Sequence, residues 1–321
     1  MFCTPESYAD WVGSPYAGEA AATTPLLVVE GDATCSLPSP GALPVVVAFV
    51  GSDLGGDGPA GADLIVGPHD LAHLQSAVAQ NPVACTSLAV LLRNPPSNTE
   101  SGLAAESAVY STLQAGPEFE RWRQANPSST PDDLGTECVV SAERIGTTLQ
   151  ICLDRPGRHN AFSVAMRDQL YEILAMAIVD DTVEHIELRG IGPSFCSGGD
   201  LAQFGSRPDP ATAHVTRLMR SPARLLDLLS AKTTARIHGY ALGGGIEMAA
   251  FAGEVVAHPD TLIGLPEPGL GLIPGAGGTV SITRRCGRWR TAALALATDT
   301  IDAQTALRWG LVDRIEPGGT T

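Results

Sequence analysis

The sequence is poor in positive charge, in aromatic residues and in long apolar runs. Its 20 lysines and arginines stand against 35 aspartates and glutamates, so the formal net charge is −15. Such a surface repels a phosphate backbone, and we expect no nucleic-acid partner. The longest apolar run, Ala42 to Val50, has nine residues including a proline, whereas a membrane helix needs about 20. The N-terminus, MFCTPESYADW, lacks the features of a secretion signal, and we expect a soluble cytoplasmic protein with no membrane partner.

Motifs for disulfides, redox chemistry and metal binding are also lacking. The seven cysteines include no C-x-x-C pair, and we expect reduced thiols that pack mostly as small hydrophobic residues. The histidines show no H-E-x-x-H spacing, and His69 and His73, the nearest pair, are better explained as one helix face. We therefore expect no metal site. The cysteines are Cys3, Cys35, Cys85, Cys138, Cys152, Cys196 and Cys286.

A Pro/Ser/Asp-rich stretch between Arg123 and Gly135 predicts a linker, placed at 127–136. It would separate an N-terminal α/β domain with a helical tail (1–126) from a second domain (137–321). In the first domain the pattern predicts strands at 44–50, 62–67 and 86–93, a helix at 69–80 and two helices within 103–125. The segment 45–64 resembles 186–201 in outline. It is either a degenerate duplicate or an ordinary stretch containing a buried strand.

In the second domain, strands alternate with crossover helices, which is typical of a parallel, layered α/β fold. Strands are predicted within 138–156, 185–192, 233–241 and 254–268, and helices from 162, within 223–230, after the glycines at 243–245, and within 277–297.

Two glycine-rich junctions follow predicted strands, SFCSGGDLAQF (194–204) and GYALGGGIEMAA (239–250). Glycine at such a turn lets a ligand approach the backbone, and a helix that starts there presents free N–H groups and a positive dipole end. Together the junctions could form an oxyanion hole. Close packing of helix on sheet would also explain the glycines. Binding of a nucleotide phosphate is a weaker alternative, because neither junction carries a P-loop or Rossmann pattern in the required context.

Two carboxylates accompany these junctions. Glu247 lies one helical turn after Gly244 and can border the same space. Glu267 lies between Pro266 and Pro268, which stiffen the backbone that presents it. Each could instead be an ordinary surface acid, on a helix or in a loop.

The motifs LDRPGRHNAFS, SFCSGGDL, HGYALGGGIEMA, LPEPGLGLIPGAGGT and DAQTALRWGLVDRI occur in order. In this order and spacing the sequence resembles the crotonase (enoyl-CoA hydratase/isomerase) superfamily over 137–317. The resemblance implies an α/β fold made of a crotonase-like spiral of ββα units, here with an additional small N-terminal α/β domain and a shortened C-terminus.

The resemblance also implies chemistry. It makes the N–H groups of Gly199 and Gly244 the oxyanion hole for an acyl-CoA thioester, and Glu247 and Glu267 the paired carboxylates of a hydratase. The implied reaction adds water across a 2-enoyl-CoA double bond through an enolate, as in fatty acid metabolism. Open alternatives are an isomerase, a thioesterase, a cofactor-independent aryl-acetyl-CoA dioxygenase, or a catalytically silent binding or assembly subunit.

Coenzyme A is expected as part of the substrate, with no further cofactor. The residues assigned to it by resemblance are Arg155, Arg158, His159, Ser197 and Asp200. The loop from Arg155 to Asn160 would line the adenine end of CoA. The arginines at 284, 285, 288 and 290 are either phosphate contacts or a solvated basic cluster. The resemblance further implies a homo-oligomer, a trimer or hexamer.

The sequence departs from the family pattern at both ends. It stops at RIEPGGTT, where the family continues through helices that cover the acyl pocket, and it begins with the additional domain. We expect the helical segment from Leu103 to Trp122 to supply the missing cover over the catalytic domain of its own chain or of a neighbouring one. Packing of this segment on its own domain is the alternative.

Overall fold

The computed structural model describes residues 1–56, 58–127, 138–204 and 209–317, and the predicted linker at 127–136 lies outside it except for residue 127. The described part of the chain before this gap is called the N-terminal region and the part after it the C-terminal region. Strands of the N-terminal region form a parallel sheet in the order β1-β2-β3-β4. They are β1 (Phe2–Cys3), β2 (Leu26–Val29), β3 (Val46–Val50) and β4 (Leu64–Val66).

Helices make up most of the rest of the N-terminal region. The predicted strand at 86–93 is wrong, because these residues belong to the helix α4. Pro82 starts this helix, and the buried positions Ala84, Leu88 and Leu92 recur every four residues. A short apolar run that is buried in this way cannot be told from a buried strand by its pattern alone. The helices are α1 (Pro5–Gly13), α2 (Ala17–Thr23), α3 (Leu71–Gln80), α4 (Pro82–Arg93), α5 (Thr99–Gln114) and α6 (Pro117–Ala125).

The C-terminal region contains two sheets among its described residues. The larger has the order β13-β10-β8-β7-β6-β5 and is parallel except for the β5–β6 hairpin, which turns at Gly146. The smaller has the order β12-β11-β9. The strands are β5 (Val140–Ile145), β6 (Thr148–Leu153), β7 (His185–Gly190), β8 (Thr233–Ile237), β9 (Tyr240–Leu242), β10 (Glu254–Ala257), β11 (Leu262–Gly264), β12 (Ile301–Asp302) and β13 (Arg314–Ile315).

Helices alternate with these strands, as predicted. They are α7 (Val164–Val179), α8 (Pro210–Met219), α9 (Pro222–Leu228), α10 (Gly244–Ala249), α11 (Gly278–Leu296) and α12 (Ala303–Trp309). The backbone of α11 is broken at Gly287, which has a φ of 81°. In the described parts of the chain, no helix is both long and apolar enough to cross a bilayer.

The two regions share their core. One hydrophobic cluster includes Val46 and Leu88 from the N-terminal region together with Ile186, Ile246 and Leu294 from the C-terminal region. The helix α11 lies between them and packs against α3, α4, α5 and β4. This shared burial makes the N-terminal region part of the environment of the C-terminal sheets.

Arg288 and Arg290 of α11 strengthen this junction. Arg288 pairs with Asp63 and bonds the carbonyl of Ala60, and Trp289 donates to the carbonyl of Ala62 at 2.9 Å. Arg290 donates to the carbonyl of Gly55 at 3.2 Å. Arg285 pairs with Asp313 of the C-terminal region, whereas the exposed Arg284 pairs with Asp227 and also donates to the hydroxyl of Thr99 in α5 at 2.6 Å. All four arginines therefore have protein partners.

The predicted cover is confirmed, because α5 packs against α8, α9 and α11, and α6 packs against the turn at 267–270. α5 also packs against α4 of its own region, and Glu118 of α6 accepts from the N–H groups of Val83 and Ala84 in α4, so both expected packings occur. At the end of the cover, Phe119 and Trp122 stack at a centroid distance of 5.9 Å, and Phe204 of the C-terminal region lies against both rings.

We predict that residues 138–321 expressed alone are insoluble or inactive. Removal of the N-terminal region would expose the apolar surfaces of α9 and α11 that α3 to α5 now bury. Solubility, size-exclusion chromatography and turnover of acyl-CoA substrates measure this, with the full chain as control. A soluble and fully active fragment would show that the N-terminal region is an independent appendage.

Candidate active site

The two glycine-rich junctions lie side by side. The N–H of Leu242 donates to the carbonyl of Cys196 at 2.9 Å, and the N–H of Cys196 donates to the carbonyl of Tyr240 at 3.0 Å. These bonds continue the parallel pairing of strands beyond the sheet and bring Gly198 against Leu242 and Gly243. The predicted convergence of the two junctions is therefore present.

A cavity of about 930 Å³ opens at this point and is lined by Gly199, Gly244, Glu247 and Glu267. Gly244 is the first residue of α10, so its N–H has no partner within the helix. Neither the N–H of Gly199 nor that of Gly244 donates a hydrogen bond to another described residue. Both amides are thus available to an oxygen atom in the cavity.

The three consecutive glycines have different tasks. Gly243 has a φ of 44°, and a Cβ there would collide with Oε1 of Glu267. A Cβ on Gly245 would lie 2.6 Å from the carbonyl oxygen of Cys196. At Gly244 a Cβ would meet only Ala276 at 3.5 Å and Phe162 at 3.9 Å, which are ordinary contacts. The fold therefore requires glycine at 243 and 245, whereas the space beside Gly244 belongs to the cavity.

Glu247 is buried, with 1% of its surface exposed. Its Oε2 accepts hydrogen bonds from the N–H groups of Ala276 at 2.7 Å and Gly278 at 2.8 Å. Burial raises the pKa of Glu247 well above its usual value, and the negative charges of Glu267 and Glu106 raise it further. The two amide donors favour the carboxylate form and act in the opposite direction.

Glu267 begins the short 3₁₀ turn Glu267–Leu270 and is also buried. Its Oε2 has no hydrogen-bond partner among the described residues. Burial raises the pKa of Glu267 to about 7. A buried carboxyl oxygen without a donor favours the protonated acid, so this site can give or take a proton near neutral pH.

Residues of the N-terminal region hold the loops that carry these acids. The side-chain amide of Asn81 donates to the carbonyl of Pro268 at 2.8 Å. The backbone at Glu118 and Phe119 lies against Gly271, and the ring of Tyr110 lies against Gly275. Glu106 bonds the start of α11. The roles of Asn81 and Glu106 in holding these loops were not predicted from the sequence. The available signal for Glu106 was an acid four residues before Tyr110, on the buried face of α5.

The five residues assigned to CoA lie in two segments that pack on each other. Arg155 pairs with Asp200 at 2.8 Å, and Oδ1 of Asp200 also accepts from the N–H of Ala202. His159 Nδ1 lies 2.9 Å from the hydroxyl of Ser194, and the N–H of Ser197 donates to the carbonyl of His159. Arg158 is exposed. Of the five, Asp200 lines the cavity, and its pairing with Arg155 fixes the loop beside Gly199.

Alanine substitutions of the three glycines should separate their tasks. We expect Gly243→Ala and Gly245→Ala to lower the melting temperature strongly, since overpacking costs about 1–3 kcal/mol or more. Gly244→Ala should leave it within a few degrees, because the site has room and alanine favours a helix. Thermal unfolding of the three variants measures this. Equal destabilisation by all three would contradict the assignment of free space to Gly244.

The raised pKa of Glu267 makes the folding stability of the protein depend on pH. The folded pKa of Glu267, about 7, lies above the value of an unfolded glutamate. The folded state therefore holds this proton more tightly, and stability falls as the pH rises through about 7. Glu267→Gln cannot ionise, so we expect it to raise the melting temperature at pH 8 and to change it little at pH 5. The exposed Glu143→Gln is the control, and a difference that does not depend on pH would argue against a buried titrating acid.

Comparisons with known proteins identify the family of the C-terminal region. Residues 143–320 match the sequence profile of the enoyl-CoA hydratase/isomerase family. The 2,3-dehydroadipyl-CoA hydratase of Escherichia coli (strain K12) is 34% identical over 186 residues, which are 58% of this chain and 71% of that protein.

Two solved structures extend the likeness. The enoyl-CoA hydratase from Thermoplasma volcanium GSS1 has 33% identity and a TM-score of 0.51, and the match covers 57% of this chain and 73% of that one. A putative enoyl-CoA hydratase from Thermobifida fusca YX, in complex with CoA, has 28% identity and a TM-score of 0.51 over 56% of this chain and 72% of that one. The predicted crotonase fold is confirmed. The family profile covers more than half of the 321 residues, and the chain belongs to the enoyl-CoA hydratase/isomerase family.

Proposed function

We propose that the protein adds water across the double bond of a 2-enoyl-CoA. The observation that carries this proposal is the meeting of two buried carboxylates and two unpaired backbone N–H groups in one cavity. Coenzyme A enters as part of the substrate, and the reaction needs no further cofactor. The relatives that share the family support an acyl-CoA hydratase.

In this proposal the thioester oxygen accepts hydrogen bonds from Gly199 and Gly244. The dipole of α10 adds to this attraction because Gly244 is its first residue. Both interactions strengthen when negative charge develops on the oxygen, so they favour the enolate over the bound substrate. Losing one such donor costs about 3–4 kcal/mol of transition-state stabilisation in comparable sites.

Glu247 and Glu267 then carry the protons. A water molecule between them loses a proton to Glu247 as its oxygen bonds to C3, and the electron pair of the double bond moves onto the enolate. Glu267 donates a proton to C2, which completes the addition of one water. The assignment follows from the hydrogen bonds, because two amides favour a charged Glu247 and the unpartnered oxygen of Glu267 favours the acid.

The cavity walls suit a substrate that is partly apolar. Leu103, Tyr110 and Phe119 of the cover helices line it together with Phe162 and Phe204. A cover of this kind keeps bulk water away from the thioester, and a dry site strengthens the contacts to the enolate oxygen.

Turnover by variants of the two acids tests the proposal. We expect Glu247→Gln and Glu267→Gln each to lower kcat about 100-fold or more with KM largely kept, and the double variant to be little worse than the poorer single one. The assay follows loss of the conjugated thioester absorbance of short, medium and aromatic 2-enoyl-CoA esters, with and without oxygen. Glu143→Gln, on the exposed face of β5, is the control.

Full activity in either single variant would contradict the hydratase mechanism. Conversion of a 3-enoyl-CoA without uptake of water would indicate an isomerase, and consumption of oxygen would indicate an oxygenase.

Gly244→Ala should lose at least tenfold in kcat/KM while remaining folded, because its methyl group would enter the space that the thioester occupies in the proposed reaction.

A further inference from the structure

A third carboxylate enters the site from the N-terminal region. Glu106 lies in the middle of α5 and is 2% exposed, and it lines the same cavity as Glu247 and Glu267. It lies outside residues 143–320, the part of the chain that matches the family. A buried acid is costly unless it is hydrogen-bonded, so its partners indicate its task.

Glu106 binds the first turn of α11. Its Oε1 accepts from the N–H of Gly277 at 2.7 Å, and its Oε2 accepts from the N–H of Thr279 at 2.9 Å and from the Thr279 hydroxyl at 2.6 Å. The neighbouring amides, those of Ala276 and Gly278, donate to Glu247. Four successive N–H groups are thus divided alternately between two carboxylates.

This alternation couples the two acids through the backbone. The N–H groups at the start of a helix have no partners within it, and here they are shared by Glu106 on one side and Glu247 on the other. If Glu106 releases Gly277 and Thr279, the turn can rotate and move the donors of Glu247. The position and protonation of Glu247 therefore depend on a side chain from the N-terminal region.

We propose that Glu106 is a positioning residue of the catalytic site, which fixes the turn at 276–279 for Glu247 and adds a negative charge beside the Glu247–Glu267 pair. The proposal rests on the proposed hydratase function for its kinetic test. The charge has a direct consequence, because like charges disfavour ionisation of their neighbours. The presence of Glu106 raises the pKa of both Glu247 and Glu267.

Other ionisable groups face this cluster. Arg217 of α8 bonds Ser107 and Ser111 and lies over the ring of Tyr110, and its positive charge lowers the pKa of Glu106. Burial raises the pKa of Glu106 to about 7, against the effect of its hydrogen bonds. Burial also raises the pKa of Tyr110 above its usual value and that of Cys196 to about 12. The last two stay neutral where the carboxylates titrate.

The test is the pH dependence of kcat in Glu106→Gln, which keeps the size of the side chain and removes its charge. We expect kcat to fall about tenfold at neutral pH with KM little changed, and the acidic limb of the profile to move down by roughly half a pH unit or more. A purely structural role would lower stability without moving the limb. Glu120→Gln, an exposed acid on α6, is the matched control and should leave both unchanged.

Glu106→Asp separates charge from position. It keeps the charge but withdraws the carboxylate from Gly277 and Thr279, so kcat should fall while the acidic limb stays at its wild-type pH. This variant also serves if Glu106→Gln fails to fold. Wild-type kcat in Glu106→Asp, or a wild-type limb in a folded Glu106→Gln, would overturn the proposal.

A measurement without turnover distinguishes this proposal from the proposed function. In protein labelled with ¹³C at the glutamate carboxyl, Glu267 is assigned from the signal lost in Glu267→Gln and is titrated with and without Glu106→Gln. A lower midpoint in the variant supports the role of Glu106 even if no enoyl-CoA is hydrated, in which case only the proposed function fails. An unchanged midpoint overturns the role of Glu106.

Discussion

The organisation of the site depends on the burial of carboxylates against the start of one helix. The N-terminus of α11 offers free amides and a positive dipole end, and Glu247 and Glu106 approach it from opposite regions of the chain. Without these donors each acid would be buried alone, which is costly. With them, the acids are held in place and still keep raised pKa values.

The same constraint explains why the two regions are packed so closely. The acids need a dry cavity, and the C-terminal region does not provide all its walls within the described residues. Asn81, Tyr110 and Phe119 reach the loops at 267–271 and 275–279 from outside and bury them. The arginines and the tryptophan at 288–290 join the middle of α11, just after the break at Gly287, to the residues before β4. The contacts that join the two regions therefore also fix the geometry of the catalytic loops.

The parts of the site that depend on local rules could be predicted from the sequence. Glycines at strand-to-helix turns have few explanations, and Glu247 follows Gly244 by one helical turn, so their closeness could be read from spacing. The sequence-based prediction failed for residues whose structure or role depends on partners far away in the sequence. Residues 86–93 are mostly apolar because α4 is largely buried, and a short apolar run of this kind does not distinguish a buried helix from a buried strand. The spacing of Glu106 and Tyr110 places Glu106 on the buried face of α5, but its role could not be predicted, because its partner Gly277 is 171 residues away in the sequence.

The order of these pieces along the chain bears on how the protein folds. Glu106 and its partner Gly277 are 171 residues apart, and Asn81 and Pro268 are 187 apart. During synthesis the cover helices leave the ribosome long before the surface that they cover. Contacts between distant segments slow folding, and exposed apolar helices invite aggregation in the meantime. The active site therefore forms late in folding. Until the last third of the chain has been synthesised, the helices that are made first keep apolar surface exposed.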